Sequence, residues 1–94
     1  MSIVAVSVGT SATLIKAKNY KRIELQIDND SGNTVYIGDS DSVTTSTGIR
    51  VLNGATFTLS YGGGAHQFFY RGPIYGIASG TSAVRVLELE ETRT

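Results

Sequence analysis

The chain has no cysteine, and its 94 residues contain a single histidine, His66. Without thiols, neither a disulfide framework nor a thiolate metal site can supplement a small core. One histidine leaves acid–base and nucleophilic chemistry short of partners. A Ser-His-Asp reading has ten serines to draw on, which singles out none. The sequence therefore reads as non-enzymatic, with no cofactor implied. Charge is scarce as well: 8 basic and 8 acidic residues make up 17% of the chain and cancel, against a usual charged share of about 25%. That removes the long-range field on which a nucleic-acid binder or a polybasic membrane protein relies. The apolar start, Met1 to Val8, has no basic residue ahead of it, and Lys16 and Lys18 follow it. Neither a signal peptide nor a transmembrane span is expected.

What the chain does have is strand and turn material. Ser, Thr and Gly account for 32 of the 94 positions. Short β-branched runs recur between turn signals, and no segment keeps a helical period. At this length a single domain, residues 1–94, hides only about 60 to 65% of the surface its unfolded chain exposes, so burial through self-association would help. Ile3 to Val8 and Ala12 to Lys16 suggest an opening hairpin or a strand that changes sheet, and Ser2 to Val8 an arm ordering on a neighbour. Arg22 to Asp28 alternates, placing Arg22, Glu24, Gln26 and Asp28 on a wet face and Ile23, Leu25 and Ile27 on a buried one. Asn29 to Asn33 should reverse the chain. Asp39 to Thr47 is a polar loop whose one apolar anchor is Val43. Asn53-Gly54 predicts a type I′ hairpin turn, with positive φ at both residues. Strands follow at His66 to Tyr70, Ile74 to Ala78 and Ala83 to Leu89, and residues 90–94 form a frayed tail. The expectation is all-β: an antiparallel β-sandwich of eight or nine short strands with jelly-roll-like connectivity.

Several motifs invite chemistry that their surroundings do not support. Asp28-x-Asp30-x-Gly32 begins like a calcium loop, with Asp39 at the bidentate position, but Gly32 and Asn33 break the pattern and no helices flank it. Asp39-x-Asp41 is a second oxygen-rich turn, and solvated Asx-turns account for both. Gly62-Gly63-Gly64 lacks the lysine and helix of a phosphate cradle. Lys16, Lys18, Lys21 and Arg22, with Tyr20 among them, suit at most a local anionic contact. More informative are apolar residues at consecutive positions, because strand neighbours point to opposite faces. Phe68, Phe69 and Tyr70 form one such run, and Val84 and Val86 against Leu87 and Leu89 the other. Either a β-bulge shifts the parity and keeps these residues in one core, or another subunit covers the second face.

From Lys21 onward, over about three quarters of its length, the chain resembles a type of short structural protein encoded by tailed bacteriophages. The resemblance lies in the strand from Arg22 to Ile27, then Asn29, the strand Val35-Tyr36-Ile37-Gly38, and a polar loop into Thr47-Gly48 and Leu52. A turn with Gly54 follows, then Ile74-Tyr75-Gly76-Ile77 and a closing strand from Val84 to Glu88. Asn53 stands where such proteins favour proline. The resemblance implies a virion component assembled in the host cytoplasm: a decoration or cement protein on the capsid surface, or a head-fibre or tail module. A cement protein is expected to form a homotrimer seated on the major capsid protein, without nucleic acid or membrane as partners. Phe68, Phe69, Tyr70, Leu87 and Leu89 are then the expected interface residues. The alternative is a tail or fibre module that stacks host-surface glycan on Tyr61 and Tyr75.

Overall fold

The computed structural model describes residues 2–60 and 70–90, which form eight strands and no helix. They are β1 (Ser2–Val8), β2 (Thr13–Lys16), β3 (Arg22–Asn29), β4 (Val35–Gly38), β5 (Ile49–Val51), β6 (Ala55–Ser60), β7 (Ile74–Ala78) and β8 (Ser82–Glu90). One sheet has the order β1-β8-β3-β6 and the other β2-β7-β4-β5, with every pairing antiparallel. The pairs are nested: β1 with β8, β2 with β7, β3 with β6 and β4 with β5. A long antiparallel hairpin rolled over on itself produces this order, bringing β3 beside β8 and β4 beside β7. That is a jelly roll.

The interior follows from alternation. Val8, Leu25, Ile27, Val84 and Val86 of the first sheet meet Ile15, Val35, Ile37, Val51, Ile74 and Ala78 of the second, all buried. Phe57, Leu59 and Tyr70 pack against this core without being fully enclosed. Val43 is buried as the one anchor of the loop between β4 and β5, as its composition suggested. It lies against two glycines: a Cβ on Gly38 or on Gly48 would stand 2.9 Å from Val43 Cγ2, and one on Gly48 also 2.7 Å from Tyr36 Cβ. Gly48→Ala should therefore destabilise the domain by about 1–3 kcal/mol through overpacking. A lowered urea midpoint checks this, and an unchanged midpoint would show that the loop gives way instead.

The turn at Asn53-Gly54 exists, but it is not the expected hairpin. Gly54 has φ of 88° and no non-glycine residue among those described has positive φ. The Ala55 amide donates to the Leu52 carbonyl at 2.9 Å. Positive φ at the third position alone is the type II pattern. The physical reason lies in the topology: β5 and β6 belong to opposite sheets. A type I′ turn matches the twist of two hydrogen-bonded neighbours, whereas a type II turn splays the strands and suits a crossing between layers.

Arg22 also departs from the simple alternation. The β3–β8 register runs Arg22 to Glu90 and then Glu24 to Leu89, so Ile23 is an extra residue on β3. This bulge reverses the parity of the strand's first residue. Arg22, expected on the wet face, is fully buried.

Candidate interaction surfaces

Near the start of β3 every nitrogen of the buried Arg22 guanidinium is hydrogen-bonded. Its Nε donates to Glu88 Oε2 at 2.7 Å, Nη1 to the carbonyls of Gly72 at 3.0 Å and Tyr70 at 3.4 Å, and Nη2 to the Ala17 carbonyl at 3.0 Å. Glu88 Oε1 accepts from Asn19 Nδ2 at 3.0 Å and lies 3.6 Å from Lys16 Nζ. Burial alone would raise the Glu88 pKa, but hydrogen bonds from Arg22 and Asn19 and the charges of Arg22 and Lys16 outweigh it and hold the carboxyl below its ordinary value. The group clasps β3, β8, the β2–β3 connection and the segment entering β7. It is a structural ion pair with no open position for a ligand. Two of the four cations in the basic cluster, Lys16 and Arg22, thus serve Glu88, and Lys18 Nζ stands 5.6 Å from the centre of the Tyr20 ring.

At the opposite end, buried Asn29 joins three chain segments. Its Nδ2 donates to the Val51 carbonyl at 2.7 Å and the Asn33 carbonyl at 2.8 Å, while Oδ1 accepts from Ser31 Oγ at 2.7 Å. The Asx-rich turn is therefore a joint within the protein. Its acidic neighbours do not form a cation site with the second acidic turn. Asp28 and Asp30 face Arg85 at 3.3 and 3.9 Å, while Asp39 and Asp41 follow β4 at the far end of the sandwich. Among the described residues no three His, Cys, Asp or Glu side chains converge on a point.

The expected interface residues fall in three places. Leu87 and Leu89 are half-buried on the outer face of the first sheet. No bulge in β8 returns them to the core, because the β1–β8 register is unbroken from Ser2↔Glu88 to Val8↔Ser82. Leu87 lies between Ile3 of β1 and Gln26 of β3, and Ile3 is 64% exposed. Tyr70 instead packs against the core and donates its hydroxyl to the Pro73 carbonyl at 2.6 Å. Burial and the nearby Asp39 charge raise its pKa, Arg22 opposing. Phe68, Phe69, Tyr61 and His66 lie outside the described residues. Ser2–Val8, expected as an arm, runs along β8 of its own chain.

Tyr75 is on the outer face of the second sheet, where sequence reasoning had not placed its neighbours. Leu14 pairs with it on one side and Gly38 on the other. Tyr36 sits diagonally on the same face, opposite Ile77 and Arg50. The alternation of β4 carried that signal, since Tyr36 has the parity opposite to Val35 and Ile37. A third feature is an apolar cleft of about 370 Å³ between the sheets, lined by Ile37, Ile49, Phe57, Leu59, Tyr70 and Ile74, with Asp39 and Thr47 as its polar side chains. No family model, curated protein or solved structure matches the chain.

Proposed function

We propose that this protein is a non-enzymatic virion structural module, a decoration or cement protein that associates with copies of itself on a phage capsid surface. The observation that carries the reading is apolar surface on the outer sheet faces, which the core does not take up. The inward-facing residues make up the buried core, yet Ile3, Leu87 and Leu89 remain on the outer face of one sheet and Leu14, Tyr36, Tyr75 and Ile77 on that of the other. Contiguous apolar surface of this kind is characteristic of interaction sites. The lack of net charge leaves little repulsion between identical neighbours, and the resemblance to short phage structural proteins supplies the setting. The test is co-expression with the major capsid protein encoded in the same genome, followed by pelleting of the empty particles. Co-sedimentation at a fixed copy number is expected. A genome without such a gene, or particles that pellet bare, overturns the reading.

One observation favours the glycan-binding alternative. Tyr75 and Tyr36 lie diagonally on one outer sheet face, and aromatic rings presented together on a surface are suited to stacking. If this reading holds, the isolated domain binds a defined glycan on an array and Tyr75→Ala lowers that signal at least about tenfold, the loss of one ~1.4 kcal/mol contact. No bound glycan, or binding indifferent to Tyr75→Ala, removes it.

A further inference from the structure

Among the described residues the edges of the first sheet, seven-residue β1 and six-residue β6, are the least protected, neither having a charge, a proline or a register break, and β1 is the longer. Each edge strand presents a row of unpaired N–H and C=O groups, which natural sheets protect by shortness, bulges, lysine or proline. Among the described residues, the second sheet uses these devices at both edges. β5 has three residues, and β2 has four, with a register break and Lys16. β1 has seven residues, Ser-Ile-Val-Ala-Val-Ser-Val, with no charge, no proline and no break in its register with β8. Val8 and Val6 face the core, but Val4, of the same parity, is 47% exposed. Ile3 on the other face is 64% exposed.

We infer that β1 is a self-pairing edge: two copies of this chain join β1 to β1 antiparallel about a two-fold axis, making one continuous eight-stranded sheet. An antiparallel strand paired with itself about a two-fold axis matches residues of the same parity. A register centred on Ala5 engages all seven residues, setting Val4 beside Val6 of the second copy and Ile3 beside Ser7. No like charges meet, since the strand has none. The contact is isologous and closes at two copies, whereas pairing β1 with the other edge, β6, would continue from copy to copy. The inference rests on the self-association in the reading above and gives it two-fold order at this edge, in place of the three-fold order that the resemblance implies.

The test is sedimentation velocity of the full chain from about 1 to 200 μM, with amide exchange read at both ends of the series. The expected result is a monomer–dimer equilibrium in which alternate β1 amides gain protection as the dimer forms. Val4→Lys should raise the dimer dissociation constant at least about tenfold, with the melting curve of the monomer retained. As a second variant, Ala5→Cys should give a disulfide-linked dimer on oxidation, and Thr58→Cys on β6 should not. A monomer at every concentration, a mass growing past the dimer, or association that leaves the β1 amides unprotected overturns the pairing. Capsid binding by a chain with unprotected β1 amides would sink the pairing and leave the virion reading standing; a β1-paired dimer that ignores capsids would do the reverse.

Discussion

Replacing Arg22 by methionine should cost about 3–5 kcal/mol of folding stability, the usual result of removing one partner of a buried ion pair. Methionine fills much of the volume, so most of the loss is electrostatic. Glu88, whose side chain is only 9% exposed, would keep its charge without Arg22 Nε at 2.7 Å, and the carbonyls of Ala17 and Gly72 would lose their donor. Urea unfolding followed by circular dichroism measures the effect. The double variant Arg22→Met/Glu88→Leu should recover most of it, because removing both charges ends the desolvation penalty. If the double variant is as unstable as the single one, the carbonyl contacts rather than the charge carry the clasp.

The same pair sets an acid limit. The folded-state pKa of Glu88 is lowered, so its contribution is fully present above the ordinary glutamate value of about 4.3 and is lost as the pH falls through the lower folded value. Unfolding free energy against pH should therefore fall more steeply below about pH 4.3 in the wild type than in Glu88→Gln, and the two curves should converge in acid. Parallel curves would place the acid sensitivity in other carboxylates.

The second large effect is expected at Asn29. Its side chain is fully buried and satisfies two backbone carbonyls, those of Asn33 and Val51, and a serine hydroxyl. Asn29→Ala leaves both carbonyls without this donor, each at about 1–3 kcal/mol, so a total loss of about 2–6 kcal/mol is expected. Asn29→Asp tests the cause, since a carboxylate can still accept from Ser31 but cannot donate to Val51. If it is nearly as damaging as Asn29→Ala, the donated bonds hold the turn. A variant within about 0.5 kcal/mol of wild type would show that water replaces the amide.

Much of the architecture was open to reading from the residues. The turn-rich, cysteine-free composition indicated an antiparallel sandwich, and nearly every strand could be located from β-branched runs between turn signals. Val43 stood out as the only apolar residue in its loop, and the parity of Val84 and Val86 against Leu87 and Leu89 marked β8 as either bulged or apolar on both faces. The errors share one physical origin: they lie where sequence neighbours do not touch. Only β4 and β5, among consecutive described strands, share a sheet. The hairpin rule therefore found the Asn53-Gly54 turn but mistook its type, since β6 leaves for the other layer.

Arg22 shows the same limit at one residue. A bulge at Ile23 is not written in the local pattern, because it is the pairing with Leu89 and Glu90 across the sheet that leaves one residue over. Asn29 looked like a turn residue, and only the return of β5 to the same end made its side chain a buried joint between segments. Alternation and turn chemistry are local, and they sufficed for the absence of thiol chemistry, the class of fold and the two-faced strands. Strand order, the direction a side chain takes after a bulge, and the exposure of Val4 at the edge of β1 depend on contacts between segments far apart in the chain. Those contacts exist only after the nested hairpin has rolled into two layers.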